Sequence, residues 1–474
     1  MISRIMPRIL LSLTFVLLSV AGLAFATSQA PAVSESRVDE VFSRWTNESP
    51  GCAVGVAKAG QPVLQKAYGM ADLEHDVPNK PDTIFEAGSV SKQFTAAAVL
   101  LLAADGKLSL DDPARKYIPE LPDYGAPLTV RHMLQHTSGL RDWGEVASIA
   151  GWPRTSRVHS HAHVLDIVSR QKALNFPSGT QYSYSNTGYN LAAVLVARVS
   201  GKSFAEFSKD RVFGPAGMTH TSWRDDYTRV VKGRAVAYSQ AQSGWRQNMP
   251  FENVHGNGGL LTTVGDLLKW NENFVTPKVG DAAFVKLQQE PGKFNDGKPH
   301  TYAMGLMVGT YKGVPEVAHS GSTAGYRAHL TRFPEQQVSV AVLCNAASAN
   351  ATQLAERVAD LYLAGAIKAD PPQQPRERPQ PATFTPERKD LESYVGRYYS
   401  DEAEVTYEVA LDGENLVVKR RPDTVIRLRA TEKDQFTGGP GRFVFIRDAS
   451  GAVNELSYRG SRVFDLRFAR AGAR

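Results

Sequence analysis

Cysteine is scarce, with only Cys52 and Cys344 in 474 residues. Two thiols cannot hold a structural metal without histidine help. Both lie in apolar, strand-like segments and read as small buried residues, and export to an oxidising compartment would leave a disulfide between them open. Beyond the N-terminal segment no apolar run is long enough to span a bilayer. A dense basic run interleaved with aromatics is also missing. The formal charge of +6 falls by two if Arg4 and Arg8 leave, so no nucleic-acid partner is expected. The cluster Lys419-Arg420-Arg421 is short and reads as a solvated strand end.

The N-terminus differs in character from the rest. Arg4 and Arg8 precede an apolar run, Ile9 to Phe25, that closes on Ala24-Phe25-Ala26. This is the pattern of a secretory signal cut after Ala26. It implies a periplasmic or secreted protein with no stable membrane span after cleavage. The run is long for a signal, so a retained anchor is the alternative; with no cysteine after it, a lipid anchor is not expected.

The apolar periodicity divides the remainder into two parts. A short helix at Val38–Thr46 and a hairpin, Cys52–Ala57 with Pro62–Met70, open the first. Helices are expected over Gln93–Ala104, Val130–His136, Val164–Leu174, Asn190–Val199 and Val264–Asn273. Strands follow at Tyr302–Val308, Val314–Ala318, Tyr326–Phe333 and Val338–Leu343, and a helix at Thr352–Ala364 closes this part. Strands at both ends of a helical middle predict one sheet covered by helices. Asp370–Pro386, rich in Pro, Gln and Arg, reads as a linker. Beyond it the period becomes two, at Val405–Ala410, Leu416–Lys419, Val425–Arg429, Phe443–Arg447 and Val463–Phe468. That predicts a small antiparallel barrel or sandwich. The expected domains are a signal at 1–26, an α/β unit at 27–369, the linker at 370–386 and a β domain at 387–474. A chain cut after Asp370 is expected to leave a folded first unit.

Residues 85–92 read Phe-Glu-Ala-Gly-Ser-Val-Ser-Lys and run into an apolar helix. Ser89 and Lys92 then face the same way, one turn apart. A serine hydroxyl needs a nearby base, and a desolvated lysine amine can be one. The helix start adds N–H groups that favour developing negative charge. Ser169-Arg-Gln-Lys172 has the same spacing but no glycine and no helix start before it, and reads as an ordinary helix surface. No Gly-x-Ser-x-Gly elbow surrounds Ser89, which disfavours the α/β-hydrolase route. Downstream, Tyr184-Ser-Asn186 sits in a polar, Gly-flanked stretch. A tyrosine there can relay a proton, and an asparagine can bond both a substrate amide and the lysine. His319-Ser-Gly321-Ser322 follows a strand, where a glycine lets substrate backbone approach and a free N–H can complete an oxyanion hole.

These three motifs occur in the order and spacing of the penicillin-recognising serine hydrolases, and the chain resembles their class C β-lactamase, D-alanyl-D-alanine carboxypeptidase, D-aminopeptidase and esterase group. His136-Thr-Ser-Gly-Leu140, Pro177-Ser-Gly-Thr180, Tyr184-Ser-Asn-Thr-Gly-Tyr189 and Gly258-Gly-Leu-Leu-Thr-Thr263 carry the same likeness, which extends over Val38 to Ala366. It implies an α/β (α+β) serine β-lactamase-like fold, with an antiparallel sheet flanked by helices, a helical subdomain and an appended barrel. It further implies that Ser89 becomes acylated, that Lys92 and Tyr184 exchange the proton, that Asn186 orients Lys92 and substrate, and that the N–H groups of Ser89 and Ser322 hold the oxyanion. No cofactor and no metal are implied. One departure is His319, where the family often has lysine. A mostly neutral histidine suits a substrate carboxylate less well, so weak or no β-lactam hydrolysis is expected. The expected activity is hydrolysis of amide or ester bonds in a small-molecule or peptide substrate, peptidoglycan-derived peptides among them.

Two other readings stand beside it. One is a non-catalytic peptidoglycan- or penicillin-binding protein, against which the intact motifs argue. The weaker one is a metal-dependent hydrolase built on the alternating His159, His161 and His163. That run opens a helix, which does not place all three on one face, and acidic partners at close spacing are missing. Trp143, Trp152 and Tyr326 as pocket-lining groups, and His136 and Asn257 as supporting groups, are left without an assigned role.

Overall fold

The computed structural model describes residues 1–2, 33–368, 384–439 and 441–472. The expected cleavage after Ala26 and nearly all of the linker at 370–386 lie outside them. Valine-rich segments from both ends of the first part pair in one six-stranded antiparallel sheet. Its order is Met307–Tyr311, Val314–Thr323, Tyr326–Phe333, Val338–Cys344, Cys52–Lys58 and Gln61–Tyr68. The first hairpin thus zips onto the last strand, with Cys52 opposite Cys344, Val54 opposite Val342 and Val56 opposite Val340.

Both faces of these central strands are buried, and period-two alternation assigns each residue a face. Val54, Val56, Val340 and Val342 meet Val38, Phe42, Leu354 and Val358 from the helices Glu35–Phe42 and Ala351–Tyr362. Ala53, Ala57, Ala341 and Leu343 face the helical middle. Small residues on that face let the helix Val264–Glu272 lie close: a Cβ on Gly55 would be 3.0 Å from Leu268 and 3.2 Å from Val264. The two cysteines are register partners joined in a disulfide. This replaces the reading of two separate buried thiols.

The helix Lys92–Ala104 runs through the middle of the molecule and is buried from Lys92 to Leu102. A helix that is apolar all round has no face to give to water. Phe94 packs on Trp270 at 4.6 Å between ring centres, and the Trp270 indole donates to Gln93 Oε1 at 2.7 Å.

Several boundaries differ from expectation for local reasons. Ser160 N–H donates to His163 Nδ1 (3.1 Å), so the helix expected from Val164 starts at His161 and ends at Ser169. The helix expected from Asn190 starts at Asn186. The strand expected at Tyr302–Val308 forms instead at Met307–Tyr311. Gly305 turns the chain there at φ +79°, with its Cα so close that a Cβ would lie 2.5 Å from the Gln93 backbone.

The second part is a closed eight-stranded barrel rather than a sandwich. Pairing of Tyr398 with Arg470 and of Tyr399 with Ala469 closes it. Three strands escaped the periodicity: Gly396–Ser400, Gln435–Gly438 and Val453–Arg459. The last carries a bulge opposite Ile446 and Arg447, which breaks the alternation. The barrel core extends onto the hydrolase part through Val146, Ile149 and Ala150. The Tyr407 hydroxyl donates to the Ile149 carbonyl at 3.0 Å, and Arg141 pairs with Glu402, both buried. Removing the barrel would uncover this apolar patch and orphan Arg141.

Breaking a buried pair from one side leaves an uncompensated charge. Arg141→Ala is therefore expected to cost about 3–5 kcal/mol, and Arg141→Met with Glu402→Gln to cost much less. Urea denaturation of the two variants tests this, and equal losses would mean that the pair is not coupled.

Candidate active site

Gly88 makes the turn that presents Ser89. Its φ is +50°, and a Cβ there would lie 2.5 Å from the Ser322 nitrogen. The 3-10 turn Gly88–Ser91 leads directly into the central helix. Ser91 fixes it, donating to the Gly88 carbonyl (2.6 Å) and accepting from Leu260 N–H (3.1 Å). Ser89 is partly exposed, while Lys92 is fully buried. Lys92 Nζ has three partners: Ser89 Oγ at 3.0 Å, Asn186 Oδ1 at 2.9 Å and the Asn257 carbonyl at 2.7 Å. Burial pushes the Lys92 pKa well below its ordinary value, against the pull of Asp142. In the neutral form two N–H groups meet the two carbonyl oxygens and the lone pair meets the Ser89 hydroxyl.

Asp142 orients this group, and the sequence reading missed it. Its Oδ1 caps the helix Trp143–Ile149, accepting from Gly144 N–H at 3.0 Å and Glu145 N–H at 3.2 Å. Its Oδ2 accepts from both the backbone N–H (2.8 Å) and Nδ2 (2.9 Å) of Asn186. With Nδ2 so engaged, the amide must turn Oδ1 toward Lys92. An aspartate just before a helix was the available signal. Asn186 sits not in a loop but on the first turn of Asn186–Ser200, which fixes it more tightly than expected.

Tyr184 precedes this helix and is held in a cage of rings. His136 lies 4.2 Å away between ring centres, and Lys92 Nζ lies 4.8 Å from the Tyr184 centre. Burial pushes its phenol above the ordinary value, opposed by the charge of Arg462. His136 is itself buried and takes the left-handed φ of +57°. Its Nδ1 accepts from Ser185 N–H at 3.2 Å, so it buttresses the Tyr184 segment.

His319, Gly321 and Ser322 do not follow the strand at Val314 but continue it to Thr323. The pairing with Met307–Tyr311 stops at Ala318, so the outer edge from 319 onward is left to the site. His319 is buried, and its Nδ1–H donates to the Ser320 carbonyl at 2.6 Å. Its Nε2 then accepts from the Tyr302 hydroxyl at 3.0 Å. Burial drives its pKa down to about 3. A Cβ on Gly321 would strike the Ala87 carbonyl and come within 3.0 Å of Ser89 N. The Ser89 and Ser322 nitrogens thus approach each other across two glycines.

A cavity of about 750 Å³ opens on this group, lined by Ser89, Tyr184, Asn186, His319, Gly321 and Ser322, with Lys92 beneath. Asn257 also lines it. Trp143 is core, donating to Asn190 Oδ1 at 2.8 Å, and the buried Tyr326 hydroxyl donates to the Ala235 carbonyl. Trp152 lies against Arg421 of the barrel at 5.6 Å. The three alternating histidines diverge. His159 Nε2 is 3.1 Å from the Trp152 carbonyl, His161 Nε2 is 2.9 Å from the His255 carbonyl, and His163 caps its own helix.

The sequence model of the Beta-lactamase family matches residues 38–364. A D-aminopeptidase of Gluconobacter oxydans is 30% identical over 339 residues, which is 71% of this chain. The chain spans 62% of that relative's length. Penicillin-binding protein 4* of Bacillus subtilis is 26% identical over 378 residues, 74% of this chain and 80% of its own. Among solved structures, the octameric penicillin-binding protein homologue from Pyrococcus abyssi shares the fold. It has a TM-score of 0.62 at 24% identity, covering 92% of this chain and 99% of that one.

Two outcomes follow from this geometry. Gly321→Ala is expected to slow labelling of Ser89 by a fluorophosphonate about 10²–10³-fold while circular dichroism is unchanged, because the methyl displaces a donor nitrogen; labelling at the wild-type rate would remove the strand from the oxyanion site. The second concerns stability. An unfolded histidine titrates near 6.5, whereas buried His319 stays neutral to about 3. The unfolded chain therefore takes up its proton first as pH falls. The stability this group contributes is full above about 6.5 and is lost between there and about 3. His319→Gln should flatten part of the fall in melting temperature between pH 7 and pH 4, and an unchanged slope would refute the assignment.

Proposed function

The chain belongs to the Beta-lactamase family, and from that membership we propose that it is a serine hydrolase that cleaves amide or ester bonds through a Ser89 acyl-enzyme. The observation that carries the proposal is the Lys92 amine, fully buried, 3.0 Å from Ser89 Oγ and turned toward it by two carbonyl partners. Ser89 Oγ attacks the substrate carbonyl as its proton passes to the Lys92 lone pair. The oxyanion rests on the N–H groups of Ser89 and Ser322. Tyr184, which lines the same cavity as Ser89, passes the proton to the departing amine or alcohol. Water then repeats the sequence in reverse roles: it loses a proton to the same base, and the acid leaves with Ser89 regenerated.

The relatives named D-aminopeptidase and penicillin-binding protein support substrates built from D-amino acids, including peptidoglycan-derived peptides. Esters suit the same machinery. The neutral His319 offers no fixed positive charge for the carboxylate of a β-lactam, so turnover of lactams is expected to be weak or absent. The N-terminal segment supports export to the periplasm or the medium.

A panel of D-amino-acid anilides, p-nitrophenyl esters and nitrocefin tests the proposal. Anilides or esters should turn over and nitrocefin should lag. Ser89→Ala should abolish both turnover and fluorescent-penicillin labelling, and Lys92→Ala should cost about 10²–10⁴-fold in acylation. Turnover that persists in Ser89→Ala would falsify the acyl-enzyme; a wild type that binds but never labels would favour a binding role.

A further inference from the structure

The barrel reaches into the cleft. Its loop after Val453–Arg459 carries Arg462, which lines the same cavity as Ser89 and Tyr184. The backbone of Arg462 is fastened to the hydrolase part at both ends. Its N–H donates to Glu145 Oε2 at 3.0 Å, and its carbonyl accepts from Asn175 Nδ2 at 2.9 Å and from Asp142 N–H at 3.3 Å. The guanidinium stands over the Tyr184 ring, 4.9 Å from its centre. It remains 38% exposed, and its approach to Asp142 is loose, at 3.5 Å. That carboxylate is already committed to Asn186 and to a helix cap. Arg462 thus lines the cavity with a single, loose ion pair to a carboxylate that has other partners.

The charge of the whole cleft is one-sided. Among the described residues Arg154, Arg327 and Arg462 line it, and no aspartate or glutamate does. Arg154 is neutralised by Glu252, with Nε to Oε2 at 2.8 Å. Arg327, opposite Ser322 in the strand register, bonds only backbone carbonyls, those of Ala324 and Tyr326 at 2.9 and 2.7 Å. A substrate bearing a free ammonium would meet two cations here and no anion. A substrate carboxylate would find a planar fork built for it.

We propose that Arg462 is a specificity-determining residue, lent to the active site by the barrel, that selects substrates with a carboxylate on the leaving-group side and rejects a free ammonium there. Its position over Tyr184 sets the side, because Tyr184 is the group that faces the departing atom. This rests on the serine-hydrolase reading above and narrows it. On its leaving-group side the cleft is matched to carboxypeptidase-type substrates.

The test compares kcat/KM on N-acetyl-D-alanyl-D-alanine, on its C-terminal carboxamide and on D-alanine p-nitroanilide, using the full chain. The wild type should favour the free carboxylate over the carboxamide about ten- to hundredfold, the range of a charge-assisted hydrogen bond. Arg462→Ala should collapse that ratio toward one, Arg462→Lys should restore part of it, and Arg462→Glu should invert it. A ratio needs only residual turnover, so a loss of yield does not mask the result, and the wild-type ratio requires no variant. A wild type that labels with fluorophosphonate yet shows a ratio at or below one removes the role of Arg462 and leaves the acyl-enzyme standing. So does a ratio above one that Arg462→Ala and Arg462→Glu both leave unmoved. A wild type that neither labels nor turns over any of the three removes both.

Discussion

A lysine amine held away from water organises this molecule. An ammonium in that place would lack compensation, since the carboxylate nearest in effect, Asp142, spends its oxygens on a helix cap and on Asn186. The amine is instead bracketed by an amide oxygen and a backbone carbonyl, which leaves its third direction to Ser89. Each partner is fixed by something further out. Asp142 fixes Asn186 and Ser91 fixes the turn; His136 supports the segment that carries Tyr184. Loss of any one would loosen an acceptor and let water in, and the amine would then regain its proton.

The second constraint is how closely two backbones approach. The turn at Gly88 and the strand at Gly321 come so near that neither position has room for a side chain. That contact sets the two donor nitrogens in one place, and it requires the strand to be anchored. The anchoring comes from a sheet whose neighbours derive from opposite ends of the hydrolase part, stapled at Cys52 and Cys344. Helices cover both faces of the central strands, and the unpaired edge beyond Ala318 is where the sheet meets the cleft. The strand edge and the helix start that the proposed reaction uses thus share one rigid frame.

The barrel is more than an appendage to that frame. Its core merges with the helix Trp143–Ile149, whose cap is Asp142, and Arg141 beside that cap pairs with Glu402 of the barrel. The same short stretch, residues 141–145, therefore faces the barrel on one side and the lysine network on the other. Through Arg462 the barrel adds a cation to a cleft wall that, among the described residues, has no acidic group in its lining.

Much of this was legible in the residues themselves. Periodicity located five of the six sheet strands and the central helix, because a strand buried on both faces and a helix buried all round leave unmistakable apolar runs. The seven site residues named from motif spacing lie around one cavity, since each motif sits where a turn, a cap or a strand edge constrains its own backbone locally. Asp142, Arg462 and the three unnoticed barrel strands were not legible. Asp142 acts through an asparagine 44 residues away and Arg462 crosses from another domain, while a bulge hid one strand by breaking its alternation. Local chemistry along the chain determined the candidate nucleophile, its candidate base and the class of fold. Which groups orient the base, whether the two thiols are joined and what charge lines the cleft were decided only by tertiary packing, because those depend on distances between segments that no local pattern encodes.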